Sequence, residues 1–315
     1  MGKICVVGSL NMDLTIYTEK MPLLGETMHG HDFITNCGGK GANQAVAVGK
    51  LGGDVSMIGL VGNDDFGRAL LENLKNNHVD TSAVEQLDGT STGIAMITVV
   101  NGNNFIILNG GANQLVKPGY IDKHIDKIRE ADIVVLQLEI PIETVAYTIK
   151  LAKELGKKVI LDPAPAQKLP DEVYQGLYLI KPNETEVSIL TGTDSSTEDG
   201  VLEGIQNLKK LGVLNAMVTV GKDGVIVNDG NITLHKYTPS VKVADTTAAG
   251  DCFTGALALS LSQGKSMEDS VAFANAAATV AVMREGAQVS LPSYEEAMDC
   301  YRQYSDVFEK KTVLS

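Results

Sequence analysis

Two glycine-rich segments, residues 38–44 and 245–251, bring small residues together with amide, hydroxyl and charged side chains in short stretches. Each segment passes from a loop into a helical pattern, where free backbone N–H groups and the helix dipole favour a bound anion. Neither segment has the spacing of a Walker A or a dinucleotide-binding motif. The pattern therefore predicts an anion held by backbone amides, although a helix entrance capped by Thr247 or Asp245 has the same pattern.

Asp251 closes the second segment and is expected in the first turn of the helix that follows it. A carboxylate at that position can accept a proton from a hydroxyl while nearby amides stabilise charge on a transferring group. An acidic residue in a first helical turn is also common, and it adds only ~0.3–1 kcal/mol of dipole stabilisation. The residues alone leave both interpretations open.

Short β-branched runs alternate with longer segments of helical period, and this alternation indicates the scaffold. The predicted strands include residues 4–7, 133–138, 159–161, 178–180 and 216–220. Strands that alternate with helices predict a mostly parallel sheet, in which ligands bind beyond the carboxyl ends of the strands. The polar or glycine residues at those ends are Asn11, Asp13, Glu139, Asp162, Asn183, Glu186 and Gly221.

Two stretches break the alternation, residues 14–36 and 92–108. The second turns at residues 101–104 between two apolar runs, which is typical of a β-hairpin. We therefore expect a small β-rich lid, formed by roughly 14–36 and 92–108, inserted into one large α/β domain spanning 1–315. The lid segments carry strand edges and apolar side chains, which favours pairing with a second subunit.

Composition excludes several classes of function. The chain has 26 Lys and Arg against 39 Asp and Glu, a net charge of −13, so it lacks the basic face that nucleic acid requires. Its longest nearly apolar run, residues 133–138, is far shorter than the ~18 residues of a membrane span, and we expect no secretory signal. Four dispersed cysteines predict free thiols and a cytoplasmic location.

The two glycine-rich segments also carry a family resemblance. With residues 38–45 near the start and 245–251 near the end, the chain resembles the ribokinase-like (phosphofructokinase B type) carbohydrate kinases from Ile4 to about Tyr301. The resemblance implies a three-layer α/β sandwich with a mostly parallel central sheet, helices on both faces and a small β-sheet lid. It also implies ATP-dependent phosphorylation of D-ribose at the 5-hydroxyl, with Mg²⁺ beside ATP and K⁺ as an activating cation.

Site residues follow from the resemblance, position by position. Asp251 corresponds to the general base, beside an anion hole formed by Ala248, Ala249 and Gly250. The sugar would be bound by Asn11, Met12, Asp13, Gly39, Lys40, Gly41, Ala42, Asn43 and Glu139, with Asp251. ATP would be bound by Asn183, Glu186, Thr219, Val220, Gly221, Lys222, Asp223, Gly224 and Asn275, with Gly250 and Asp251. The monovalent cation would be bound by Asp245, Thr247, Ala281, Arg284, Gly286 and Ser290.

Two positions differ from much of the family. Ala248 stands where glycine is common, and Met12 is bulkier than its counterpart in some members, which leaves ribose and 2-deoxyribose both open. The alternatives are therefore a deoxyribokinase or another small-sugar or nucleoside kinase of the family. A non-catalytic sugar-binding regulator is disfavoured by the intact Asp251, Asn183 and Glu186. Neither nucleic acid nor a membrane is expected as partner, and we expect a homodimer formed through the lid.

Overall fold

The computed structural model describes residues 2–101 and 103–314. The strands are β1 (Lys3–Val7), β2 (Asn11–Thr18), β3 (His31–Gly38), β4 (Asp54–Gly62), β5 (Asp80–Leu87), β6 (Gly93–Val100), β7 (Asn103–Asn109), β8 (Ile133–Leu136), β9 (Lys158–Leu161), β10 (Leu179–Ile180), β11 (Asn215–Thr219), β12 (Val225–Asn228), β13 (Thr233–Lys236) and β14 (Lys311–Leu314). The α-helices are α1 (Lys40–Lys50), α2 (Asp65–Asn76), α3 (Pro118–Lys123), α4 (Ile125–Glu130), α5 (Ile142–Glu154), α6 (Asp171–Tyr174), α7 (Glu184–Thr191), α8 (Glu198–Lys210), α9 (Ala249–Ser262), α10 (Met267–Val282), α11 (Tyr294–Gln303) and α12 (Ser305–Phe308). Short 3-10 helices cover Gly111–Leu115 and Gly221–Asp223.

Ten of the described strands form one large sheet in the order β14-β13-β12-β11-β10-β9-β8-β1-β4-β5. The strands from β11 to β5 pair in parallel, and β12, β13 and β14 extend one edge in antiparallel pairs. All four residues of the central strand β8 are apolar and buried. Such a continuous apolar run is expected for a strand covered on both faces.

Side chains of β1 alternate between two apolar clusters, because successive side chains of a strand point to opposite faces. Ile4 and Val6 pack with residues of α1, α9 and α10. Cys5 and Val7 pack with residues of α5 and α8. Helices therefore cover both faces of the large sheet, and the predicted three-layer α/β fold is confirmed.

A separate sheet has four strands in the order β3-β2-β6-β7. Strand β2 pairs with β3 in antiparallel and with β6 in parallel orientation, and β6 and β7 form an antiparallel hairpin. The hairpin turns at Asn101, where φ is 50°. Of the turn predicted at residues 101–104, residues 103 and 104 lie in β7, and position 102 lies outside the described residues. The segments 14–36 and 92–108 lie in this sheet and its connections, but β2 begins earlier, at Asn11.

Helices α1 and α9 approach each other closely on one face of the large sheet. A Cβ on Gly255 would lie 2.7 Å from the Cβ of Ala47 and 2.8 Å from the carbonyl oxygen of Gln44. Because both distances are shorter than van der Waals contact, only glycine permits this approach. The close packing sets the beginning of α1 beside the first turn of α9.

All four cysteines are free thiols, as predicted, with Cys5, Cys252 and Cys300 buried and Cys37 half-buried. Among residues 2–101 and 103–314, no helix is both long and apolar enough to cross a lipid bilayer.

Candidate functional site

Asp251 lies in the first turn of α9 and is buried, with 5% of its surface exposed. The side chains of two consecutive α1 residues donate to its carboxylate. Asn43 Nδ2 lies 2.8 Å from Asp251 Oδ2, and Gln44 Nε2 lies 2.9 Å from Asp251 Oδ1. Burial raises the pKa of Asp251, while the charge of Lys40 and these two hydrogen bonds oppose the rise.

The entrance of α9 is not capped by a side chain, so the interpretation of Thr247 or Asp245 as a helix cap is wrong. The N-cap residue is Ala248, whose φ of 59° places it in the left-handed region. The N–H of Ala249 donates to the Thr246 carbonyl, and the helical hydrogen bonds begin with Cys252 N–H to the Ala248 carbonyl. The N–H groups of Gly250 and Asp251 precede those bonds and can bind an anion.

Glu139 connects the start of α1 with the start of β2. Its Oε2 atom accepts from the Ser9 hydroxyl at 2.5 Å, from the Lys40 N–H at 3.0 Å and from Asn11 Nδ2 at 3.3 Å. The Oδ1 atom of Asn11 in turn accepts from Asn113 Nδ2 at 2.8 Å. This cluster fixes an amide and a carboxylate that can bind sugar hydroxyls.

Asp13 lies two residues along β2 from Asn11 and therefore on the same face of the strand. Burial and the charges of Glu139 and Asp251 raise the pKa of Asp13 to about 7. Met12 between them is buried in the apolar core. A Cβ on Gly38 would lie 2.2 Å from Asp13 Oδ2, so the adjoining glycine gives this carboxylate its space.

Gly39 and Gly41 shape the first glycine-rich segment. Gly39 is the N-cap of α1 with φ 88°, a conformation that favours glycine, and a Cβ on Gly41 would lie 2.6 Å from the Ser9 nitrogen. Ala42, the next residue of α1, is fully buried. The close approach at these small residues sets the start of α1 beside the site. It brings the Asn43 side chain to Asp251 and the Lys40 N–H to Glu139.

Lys40 carries a positive charge at the centre of the site. Burial by itself would lower its pKa, but the carboxylates of Asp251, Asp162, Glu139 and Glu186 raise the pKa above its ordinary value. The ammonium therefore stays protonated through the whole physiological range. Lys40 and Lys181, which also lies in the site beside Asp162, are two cations among four carboxylates. They can neutralise an incoming anion only in part, so backbone amides or a metal ion must supply the rest.

Two adjoining cavities meet at the entrance of α9. The larger, of about 570 Å³, is lined mainly by apolar atoms and includes predicted ATP-binding residues: Asn183, Thr219, Gly221, Lys222, Gly224, Gly250 and Asn275. The smaller, of about 210 Å³, is polar and is lined by Lys40, Asp162, Ala164, Lys181, Asn183, Glu186, Thr219, Thr246, Ala248, Gly250 and Asp251. Val220 and Asp223 build the turn beside the larger cavity through a hydrogen bond between Asp223 N–H and the Val220 carbonyl. An apolar cavity opening into a polar one fits a nucleoside with its phosphates.

Asn183 and Glu186 form a capping box at the start of α7. Glu186 N–H donates to Asn183 Oδ1 and Asn183 N–H donates to Glu186 Oε2, each at 2.8 Å. Both residues line the polar cavity, and burial together with the charge of Asp162 raises the pKa of Glu186. In the described part of the chain, no three His, Cys, Asp or Glu residues cluster as metal ligands. The residues fit a divalent ion that takes most of its ligands from phosphates and water.

The residues predicted to bind a monovalent cation come together in part. Asp245 accepts from Thr247 N–H at 2.8 Å, from the Thr247 hydroxyl at 2.7 Å and from Gly286 N–H at 3.0 Å. Burial would raise the pKa of Asp245, but these hydrogen bonds lower it. Arg284 N–H donates to the Ala281 carbonyl, and the Arg284 side chain pairs with Glu296 on α11.

Ser290 donates its hydroxyl to the Ala287 carbonyl at 2.7 Å. The hydrogen bond from Gly286 N–H to Asp245 joins the loop before α9 to the turn after α10. The Asp245 carboxylate at this junction is an oxygen ligand that could bind a cation.

Several residues of the site are not predicted from the sequence. They are Ser9, Gln44, Asn113, Gln137, Lys181 and Gln288. Lys181 has a usable signal, because it directly follows β10 at the carboxyl edge of the sheet. Gln44 lies within the first glycine-rich segment, but the segment by itself gives it no role. Asp162 is among the polar strand-end residues but not among the predicted site residues.

Comparisons with known proteins agree in family. A family profile described as pfkB family carbohydrate kinase matches residues 1–294. A curated relative named ribokinase, from Bacillus subtilis (strain 168), is 39% identical over 296 residues, which cover 94% of this chain and 98% of the relative. A relative named deoxyribokinase, from Salmonella typhi, is 38% identical over 295 residues, which cover 93% of this chain and 96% of the relative.

Among solved structures, that of Arabidopsis thaliana ribokinase complexed with ribose and ATP is similar to this chain with a TM-score of 0.90. The two sequences are 34% identical, and the match covers 95% of this chain and 98% of that one.

Proposed function

Because the chain belongs to the pfkB family of carbohydrate kinases and is a phosphotransferase, we propose that it transfers the γ-phosphoryl group of ATP to the 5-hydroxyl of D-ribose. The products are ribose 5-phosphate and ADP. The observation that carries the proposal is the position of Asp251, whose buried carboxylate lines the polar cavity beside the uncapped start of α9.

The Asp251 carboxylate acts as general base in this reaction. It accepts the proton of the 5-hydroxyl as that oxygen bonds to the γ-phosphorus, and the bond from phosphorus to the leaving oxygen of ADP breaks. Charge that develops on the transferring group meets the N–H groups at Gly250 and Asp251 and the ammonium of Lys40. These donors are in place before reaction because the helix and its close packing hold them there.

Ribose is held by the face of β2 and the start of α1. Asn11, Asp13, Asn43 and Glu139 present amide and carboxylate groups that can bind its remaining hydroxyls, next to Gly39 and Lys40. The four-stranded sheet acts as a lid over this cleft and excludes water when it closes. Asn275 and the turn from Thr219 to Gly224 hold the nucleoside of ATP in the apolar cavity.

Asn183 and Glu186 would hold Mg²⁺ against the phosphates, and the ion would offset charge on them. The K⁺ site beside the anion-binding loop would keep the shape of that loop. Its ligands would be Asp245 and Thr247, with Ala281, Arg284, Gly286 and Ser290.

The K⁺ site is tested by kinetics. Activity should fall when K⁺ is replaced by Na⁺ or by a bulky organic cation, and unchanged activity would remove this cation site from the proposal.

The acceptor is tested by ADP release, measured with ribose, 2-deoxyribose, fructose and adenosine, each with and without K⁺. We expect the highest kcat/KM with ribose, since a site that binds the 2-hydroxyl rejects the analogue that lacks it. A higher kcat/KM with 2-deoxyribose would instead assign a deoxyribokinase, the activity named for one relative. Binding of ribose without ADP release would indicate a non-catalytic sugar-binding protein.

The four-stranded sheet also supports a homodimer. It exposes the apolar side chains of Phe33, Ile34, Met96, Phe105, Ile106, Ile107 and Leu108. Its edge strands β3 and β7 leave backbone groups available for a second copy. Light scattering should give twice the chain mass, and Ile107→Lys should yield monomers, whereas Ile189→Lys on the exposed face of α7 should not. A strictly monomeric parent protein would contradict this part of the proposal.

A further inference from the structure

The amide of Gln44 links two buried carboxylates. Its Nε2 atom donates to Asp251 Oδ1 and to Asp162 Oδ2, each at 2.9 Å. Asp162 also accepts from Thr254 Oγ1 at 3.3 Å and lies 3.4 Å from the Lys181 ammonium. Gln44 itself is fully buried. Both of its amide protons are therefore committed to carboxylates, and one of these is the proposed base.

A second glutamine sets the orientation of this amide. Gln137 Nε2 donates to Gln44 Oε1 at 2.6 Å, so the oxygen of Gln44 points away from the two carboxylates. Ionised carboxylates cannot donate, and this forces Gln44 to present its NH₂ group to them and Gln137 to present its own NH₂ group to Gln44.

The Oε1 atom of Gln137 is left buried without a hydrogen-bond partner. A Cβ on Gly8 would lie 2.0 Å from that oxygen, so the glycine gives Gln137 the space for this orientation. An unsatisfied buried oxygen is unusual. Here it belongs to Gln137, whose NH₂ group is held toward Gln44.

The other groups facing Asp251 are charged. Lys40 of α1 favours the ionised carboxylate, whereas Asp162, Asp13 and Glu139 disfavour it. Neutral donors that bind only the ionised form can hold the charge without adding another cation to the site. Asn43 supplies one such donor to Asp251 Oδ2, and Gln44 supplies the other to Oδ1.

We propose that Gln44 is a positioning residue for Asp251, which orients its carboxylate and keeps it ionised, and that Gln137 holds the Gln44 amide in its donating orientation. The inference rests on the proposed role of Asp251 as general base. It extends the site from α1 and α9 to the segment that follows β8. Gln44 and Gln137 act through Asp251, since neither residue lines the two cavities of the site.

The test compares Gln44→Met and Gln137→Met with the parent protein in pH profiles of kcat/KM for ribose. Gln44→Met removes a hydrogen bond to the ionised base, so the pH at which activity is lost on the acid side should rise by about one unit. Activity on the alkaline plateau should fall ~10-fold, since the carboxylate is less well oriented. Gln137→Met should shift the acid limb in the same direction by a smaller amount.

Thr148→Val is the matched control. Thr148 is fully buried on α5, donates to the Thr144 carbonyl at 2.7 Å and lines neither cavity of the site. Its loss should therefore lower the melting temperature without moving the acid limb. An acid limb that stays in place in Gln44→Met, with activity lowered equally at every pH, would show a packing role only and overturn the proposal. An unmoved limb in Gln137→Met alone would overturn the role of Gln137.

A direct titration separates this inference from the proposed function. The Asp251 carboxyl is followed by ¹³C NMR in aspartate-labelled protein and assigned with Asp251→Asn. If the parent protein transfers no phosphate to ribose, the proposed function fails, and the titration still tests the link. A higher titration midpoint in Gln44→Met than in the parent supports it, and equal midpoints refute it.

Discussion

Replacing Lys181 with Met would leave the Asp162 carboxylate buried without its cation. The two charged atoms are 3.4 Å apart, and each side chain is only 4% exposed. At an effective dielectric constant near 20, charges at that separation attract by ~5 kcal/mol. Asp162 keeps hydrogen bonds from Gln44 and Thr254, which partly satisfy the carboxylate. We therefore expect Lys181→Met to lower the free energy of unfolding by ~3 kcal/mol, the lower end for a broken buried pair.

Urea unfolding followed by circular dichroism measures this loss, with Lys181→Met, Asp162→Asn and the double variant compared. The double variant removes both charges, so its free energy of unfolding should return to within ~1 kcal/mol of the parent. The cycle should then give a coupling energy of ~2 kcal/mol or more. Activity should remain low in the double variant, because Lys181 lines the polar cavity where phosphate is proposed to bind.

Two results would contradict this reasoning. A loss below ~1 kcal/mol in Lys181→Met would show that the pair behaves like a solvent-exposed one. Single-variant losses that simply add in the double variant would show that Lys181 and Asp162 do not stabilise each other.

Three further predictions concern the same site. Asp251→Asn should lower kcat for ribose by at least ~10²-fold, as expected for a lost general base, and near-parental turnover would reject that role. Gly250→Ala should fold normally, since the nearest atom to the added Cβ is Lys181 Nζ at 3.6 Å. Its methyl group would nevertheless occupy the wall shared by both cavities, so kcat should fall ~10²-fold, and full activity would contradict the proposed anion site. The pKa of Asp13 is raised to about 7, so the folded protein binds this proton more tightly than the unfolded chain and loses stability as pH rises from ~4 to ~7. In urea unfolding, Asp13→Asn should therefore have a higher free energy of unfolding than the parent above pH 7, but not near pH 4. An equal difference in free energy of unfolding at both pH values would refute the raised pKa of Asp13.

Strand positions could be predicted from the sequence because strands covered on both faces need continuous apolar runs. The run from Ile133 predicts a strand over residues 133–138, and β8 ends at Leu136, just before the polar Gln137. The start of β2 is not predicted. Asn11 and Asp13 are polar and resemble loop residues, yet they pair with β3 and β6. Strand pairing uses backbone groups, so polar side chains do not prevent it.

Local chemistry of the candidate site is also evident in the sequence. The glycine-rich segments mark both helix entrances, and their pattern places Asp251 in a first helical turn, which is where it lies in α9. Asn183 and Glu186 show where such prediction from the sequence is limited. The four-residue spacing that suggests a ligand site is also the spacing of the capping box at the start of α7.

The sequence by itself determined the fold class and the two glycine-rich segments, because these depend on periodicity and on residues close together in the chain. Its pattern placed Asp251 in a first helical turn, and only the family resemblance pointed to this residue as the proposed base. Only the tertiary structure decided how that base is held. Gln44 meets Asp162 and Asp251 across 118 and 207 residues of sequence, and Lys181 meets Asp162 between neighbouring strand ends. Contacts of that kind exist only after the sheet has brought its strand ends together and Gly255 has let α9 pack against α1.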